Sequence, residues 1–177
     1  MADPAAGTRN NPQAEERIAK LLAAWRALGA PVVHVRHISR SAQSMFAPGQ
    51  PGAAFQARFM PLPREHVVEK NVPDAFVHTG LEHWLHVRGI TQLVLVGVST
   101  NHSVESSAFG LSNLGFQTRV VADATFAFAQ RDYAGTARSA DEVHAMSLAN
   151  LNGEYAQVVT SSEVLASLAA SAAPKSD

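Results

Sequence analysis

Ser103 closes the run Leu93-Val94-Leu95-Val96-Gly97-Val98-Ser99-Thr100-Asn101-His102-Ser103-Val104-Glu105, in which an apolar stretch stops at a glycine and a polar turn delivers a hydroxyl to a helix start. Nucleophilic catalysis needs such a place, because the amides of a first helical turn point toward a developing negative charge. A serine hydroxyl keeps its proton and needs an adjacent base, whereas a thiol becomes a ready nucleophile once a cation and a helix start lower its pKa. The chain contains no cysteine. The bland reading of Ser103 is a polar residue that satisfies backbone donors at the helix start. Lys70 ends the run His66-Val67-Val68-Glu69-Lys70 and is the cation that could reach the same rim. Its bland reading is a solvent-facing lysine on a sheet edge. Stripped of its proton by desolvation, it could also serve Ser103 as a base.

Histidine suggests a metal, with the spacings His34/His37 and His83/His86. On a strand the first pair faces opposite sides, and the second lies on a helix with no third ligand nearby, so no metal site is expected. No Gly-x-Ser-x-Gly elbow exists, and His102 cannot easily turn back onto its neighbour Ser103, which disfavours a serine triad.

The elements that must hold these residues alternate. Pro12 to Leu28 has helical spacing, with Asn10 or Asn11 as N-cap and Gly29 as stop. Pro31 to Val35 reads as a strand, and Arg40 to Pro63 as a long aperiodic loop able to shape a site. His66 to Lys70 is a strand, Leu81 to Val87 a helix, and Gln92 to Val96 a strand apolar on both faces, as a buried parallel strand should be. Then follow a helix over Asn101 to Leu114, a strand over Thr118 to Val121, a helix over Ala140 to Asn152, a strand over Gln157 to Val159 and a helix over Ser161 to Leu168. Such alternation implies right-handed crossovers around a mostly parallel sheet, hence a three-layer α/β fold. Ligands bind beyond the carboxyl ends of such strands, where Lys70 and Ser103 both fall.

The 177 residues, 46% apolar and 16% charged, fit one domain over 1–177 with its ends, 1–9 and 171–177, loose. A net charge of -1 with scattered basic residues leaves no basic face for nucleic acid or an anionic membrane. The polar N-terminus and the lack of a long apolar run predict a cytoplasmic protein.

Several segments, in order and spanning roughly residues 7 to 165, resemble the isochorismatase-like cysteine hydrolase family. They are the turn Gly97 to Ser106, the lysine segment Glu69-Lys70-Asn71-Val72-Pro73-Asp74-Ala75-Phe76, Leu114-Gly115-Phe116, Val120 to Ala124, His144 to Leu151 and Tyr155 to Thr160. The resemblance implies a three-layer α/β/α fold with Rossmann-like strand order. It also implies a cysteine, lysine and aspartate triad that hydrolyses small amides or, in some branches, a vinyl ether. Ser103 stands where the family has its cysteine, and Lys70 where it has its lysine. By the same resemblance Val98, Ser99 and Thr100 form an oxyanion turn with a cis bond between Val98 and Ser99, assisted by amides of His102 and Ser103. Phe46, Phe76 and Asn101 are pocket candidates, the loop aromatics also being candidates for a dimer interface.

The chain departs from the family pattern at its start. The family's aspartate ends a first strand, whereas Met1 to Pro12 aligns after that strand, so Asp3 is not a candidate base. No apolar run precedes the first helix, so the resemblance implies that the first strand is missing from this sequence. A missing central strand leaves buried backbone groups unpaired at about 1–3 kcal/mol each, so the sheet closes differently or is marginal. The expected function is therefore a hydrolase acting on a small-molecule amide or related C–N bond, impaired in this form, without cofactor, and a dimer or tetramer of identical chains. The alternatives are a non-catalytic relative that binds a small molecule or partner, and vinyl-ether hydrolysis.

Overall fold

In this computed structural model residues 7–172 are described, with backbone alone at 171 and 172. Their elements are α1 (Ala14–Ala27), β1 (Val33–His37), β2 (His66–Lys70), α2 (Leu81–Val87), β3 (Gln92–Val98), a π-type turn over Thr100–Val104, α3 (Glu105–Asn113), β4 (Gln117–Phe126), β5 (Gln130–Arg131), β6 (Ala137–Arg138), α4 (Ala140–Leu151), β7 (Gln157–Val159) and α5 (Ser161–Ala172).

The side chains of neighbouring strand residues alternate between two helical layers. On one face Val94, Val121, Ala124 and Val159 meet Leu21, Ile18 and Trp25 of α1 and Val164 and Leu165 of α5. On the other, Leu93 and Leu95 join Val68, Leu81, Leu85 and Leu111, while Val120 packs with Ala108 and Leu151. This is the expected α/β/α layering.

The strands themselves divide. β3, β4 and β7 form one parallel sheet, β1 and β2 a second parallel pair, and β5 and β6 an antiparallel hairpin. The expected single sheet is thus two parallel sheets with no backbone hydrogen bonds joining them. β3 is the clearest consequence: expected to be buried, it has no buried residue, and Val96 and Val98 are 36% and 47% exposed. The two-residue strands of the hairpin carry no periodic signal and were invisible in the sequence.

Boundaries moved where tertiary partners outweighed local signals. α1 is preceded by Gln13 with no side-chain cap. Asn10 and Asn11, expected to cap it, are drawn to β4 instead: Asn10 Oδ1 accepts from the Ala127 amide at 2.8 Å, and Asn11 Nδ2 donates to the Ala122 and Thr125 carbonyls at 2.8 and 2.7 Å. Thr8 accepts from the Ala129 amide and Arg9 pairs with Glu15, so residues 8 and 9 are bonded rather than loose. The expected loose residues 1–6 and 173–177, and Asp3 with them, lie outside the described residues. β3 runs two residues further than expected, to Val98, and β4 continues to Phe126, with a register shift between Leu95 and Gly97. The helix expected from Asn101 begins instead as the π-type turn.

Candidate active site

Two elements bring the chemistry together. β3 ends at Val98, the Val98–Ser99 peptide is cis, and the π-type turn lifts Ser103 to the rim. The Ser99 carbonyl anchors this turn, accepting from the His102 and Val104 amides, each at 3.2 Å. The His102 amide was expected to face a substrate oxyanion. It is already bonded to Ser99, because a wide i to i+5 turn folds its first amides back on its own start.

β2 delivers the cation. Lys70 is 5% exposed and its Nζ donates to the Val72 carbonyl at 2.9 Å, the Pro73 carbonyl at 2.6 Å and Ser103 Oγ at 2.9 Å. The loop after β2 is held in place by its own bond to α3, since the Ala75 amide donates to buried Ser107 Oγ at 3.0 Å. Burial pushes the Lys70 ammonium below the usual lysine range, and the Asp74 carboxylate pulls it partly back. Among the described residues no carboxylate hydrogen-bonds Lys70 Nζ or Ser103 Oγ. Asp74 accepts from the Phe76 amide, and Asp123 is committed to Ser161 and Arg17.

This arrangement favours an anion at position 103. An ammonium donating to a hydroxyl oxygen draws electron density from it and weakens it as a nucleophile, whereas the same contact would stabilise a thiolate. Were Lys70 neutral, its two N–H bonds to carbonyls would leave the lone pair aimed at the Ser103 hydroxyl, the orientation a base requires.

The remaining candidates divide. Thr100 is fully buried and its Oγ1 lies 2.8 Å from His144 Nδ1. His144 Nε2 in turn lies 3.4 Å from Asn11 Nδ2. His144, pushed below the ordinary histidine range by burial, therefore ties the N-terminal segment and α4 to the turn that carries Ser103. No local signal marked that role, because its partners are 44 and 133 residues away. Asn101 stands at the rim, 3.3 Å from Gln130 Oε1. Phe46 meets His37 edge-on, next to Lys70 in the β1–β2 register. Phe76, expected in the pocket, stacks on Phe116 and packs against the core around Leu85 and Leu111, because the hydrogen bond to Asp74 turns its backbone inward. Cavities of about 350 and 410 Å³ around His66, Trp84 and Arg88 lie at the α2 side of β2, and neither is lined by Lys70 or Ser103. No cluster of His, Cys, Asp or Glu among the described residues could hold a metal ion.

Comparison with known proteins bears on this geometry. Residues 2–163 match the isochorismatase domain. An uncharacterised isochorismatase family protein of Bacillus subtilis is 37% identical over 159 residues, covering 90% of this chain and 85% of the relative. The maleamate amidohydrolase of Pseudomonas putida is 31% identical, covering 88% and 74%. A crystal structure of an isochorismatase family protein from Chromobacterium violaceum superimposes with a TM-score of 0.92 at 49% identity, over 95% of this chain and 87% of that one.

Proposed function

The chain belongs to the isochorismatase family of hydrolases, and from that premise we propose that it is built to cleave a small-molecule amide or related C–N bond, with Ser103 at the nucleophile position and Lys70 beside it. The observation that carries this reading is the 2.9 Å contact of a buried ammonium with Ser103 Oγ at the end of β3. In the reaction an atom at position 103 attacks the carbonyl carbon, the C–N bond breaks, and the nitrogen leaves as an amine after taking up a proton. Water then releases the acid and restores the side chain. The oxyanion is held by the turn over Ser99 and Thr100 and by the Lys70 charge, and Asn101 and Phe46 border the substrate. Amide chemistry is favoured because a relative of similar extent is an amidohydrolase.

In this form the activity is impaired. A hydroxyl that accepts from an ammonium has no group positioned to take its proton, and general-base assistance is worth about a hundredfold or more. Ser103→Cys is the test, measured as turnover of maleamate and a panel of small amides. Turnover rising about a hundredfold supports the reading. A folded S103C protein with no gain over the parent chain overturns it.

A second reading, a relative that binds a small molecule without turnover, is favoured by the absence of any carboxylate bonded to Lys70 or Ser103 among the described residues. Ligand-dependent rise in Tm without product separates it from the first. The proposal also takes the protein to be a cytoplasmic homo-oligomer. No helix among the described residues is long and apolar enough to cross a membrane.

A further inference from the structure

Lys70 closes β2 at the candidate active site, whereas His66 opens it, about 13 Å back along the strand. At that far rim a cavity of about 410 Å³ lies between the start of β2, the link Gly29–Val32 into β1 and the carboxyl end of α2. Three arginines line it, Arg26, Arg64 and Arg88, against one carboxylate, Glu65, in a chain whose net charge is -1. Glu65 cannot answer all three. Arg26 donates to both its oxygens, the Leu62 amide and His34 Nε2 occupy its remaining lone pairs, and Arg26 also donates to the Met60 carbonyl at 2.9 Å. That carboxylate is spent on Arg26. Arg88 donates to the Trp84 carbonyl at 3.2 Å and lies over the Trp84 ring, 4.1 Å from its centroid. Among the described residues neither Arg64 nor Arg88 pairs with a carboxylate, and Glu69, which lines the adjoining cavity, is held by Arg36.

Two uncompensated guanidiniums in one concave place draw an anion, and the planar fork of each matches two oxygens of a carboxylate or phosphate. The rest of the lining is apolar and fixed. His66 stacks on Trp84 with ring centroids 4.5 Å apart and 9° between the planes, and Ala30, Pro31 and Val32 supply an apolar wall. The volume falls in the range of small-molecule sites and exceeds what a bare oxyanion fills. We propose that this cavity is a second binding site, for a small organic anion whose carboxylate or phosphate is held by Arg64 and Arg88 and whose planar apolar body lies beside Trp84, Pro31 and Val32. The site shares no lining residue with the Lys70 and Ser103 pair, so it stands whatever position 103 catalyses. His66 reports on its charge: burial first, and Arg88 second, push the imidazole below the ordinary histidine range.

Titrating benzoate, phenyl phosphate, inorganic phosphate and benzamide into the unaltered chain separates charge from body. Affinity is read by calorimetry, and the His66 imidazole by NMR, its signals assigned by their loss in His66→Gln. Benzoate or phenyl phosphate should raise the His66 titration midpoint, because an anion on Arg88 offsets the charge that presses on the imidazole, and the tighter of the two identifies the oxyanion. Arg64→Gln and Arg88→Gln should each weaken that binding at least about tenfold, the loss of one charge-assisted bond. Both side chains are exposed, and an unchanged Tm confirms that each variant folds. An unmoved His66 with both organic anions overturns the proposal, as does binding that survives both arginine substitutions, which places the anion elsewhere. Benzamide binding as tightly as benzoate, or inorganic phosphate as tightly as phenyl phosphate, overturns it too, since the first removes the need for charge and the second the need for a body.

Discussion

Lys70 and Glu65 show how differently a buried charge can be met. The Lys70 ammonium is surrounded by two carbonyls and a hydroxyl, so nothing near it fully compensates its charge, and burial lowers its affinity for a proton. Glu65, with a side chain 5% exposed, has the opposite fate. Arg26 donates to both its oxygens at 2.7 and 2.8 Å, the Leu62 amide donates at 2.7 Å, and His34 Nε2 lies at 2.8 Å. These partners, the Arg26 guanidinium foremost, hold the carboxyl at about 2 instead of 4.5. At about 1.4 kcal/mol per unit, the shift is worth about 3 kcal/mol of stability. Because the folded value is the lower one, that stability is fully present above pH 4.5 and disappears as pH falls toward 2. Glu65→Gln should therefore lower the unfolding free energy by about 3 kcal/mol at pH 7, and the two proteins should converge near pH 2. Urea titrations at the two pH values measure this, and an equal gap at both would contradict it.

At the scale of elements, the site depends on how closely α3 lies against the loop that follows β2. Gly110 of α3 faces the Asp74 carboxylate so tightly that a Cβ there would sit 2.5 Å from Oδ2 and 2.9 Å from Oδ1. Asp74 cannot simply swing away, since its Oδ1 accepts from the Phe76 amide at 2.8 Å. Gly110→Ala should displace the loop and with it the Val72 and Pro73 carbonyls around Lys70, costing about 1–3 kcal/mol despite the better helix propensity of alanine. A thermal melt reads the cost, and a variant as stable as the parent would show that helix and loop are not in register-critical contact. The same dependence on distant contacts explains what could be read in the sequence. The strand, glycine and polar turn ending at Ser103 are contiguous, and Lys70 ends a β-branched run, so both could be placed at one rim from local patterns. The Asn10 and Asn11 bonds to β4, the His144 to Thr100 contact and the inward turn of Phe76 could not be, because each depends on which segments meet across the fold. That β3 pairs with β4 alone among the described strands was anticipated only through the lack of an apolar run before α1, and its exposure is a property of the sheet as a whole.

For the whole molecule, the shared direction of three histidine shifts makes acid the condition that tests the packing. His37, His66 and His144 all lie below the ordinary value of 6.5, and in each the leading cause is burial. Lys70 faces His37 and Arg88 faces His66, and both charges press further in the same direction. Asp141 and the Ala122 carbonyl act on His144 the other way without reversing it. The unfolded chain takes up protons at these positions as pH drops through about 6.5, while the folded chain resists until a lower pH. The unfolded state then holds more protons, so stability falls with pH from about 6.5 downward, well above the range in which Glu65 titrates. Each kcal/mol lost lowers Tm by about 2–4 °C in a chain of this size. His144 is the informative one to remove, because it joins the N-terminal segment, α4 and the Ser103 turn. His144→Gln cannot take up that proton, so its Tm should decline less steeply than that of the parent between pH 7 and pH 5.5, from a lower starting value. Parallel slopes in scanning calorimetry would mean that the histidine is not held neutral by the fold, and that the turn at Ser103 is fastened to the rest of the molecule by other contacts.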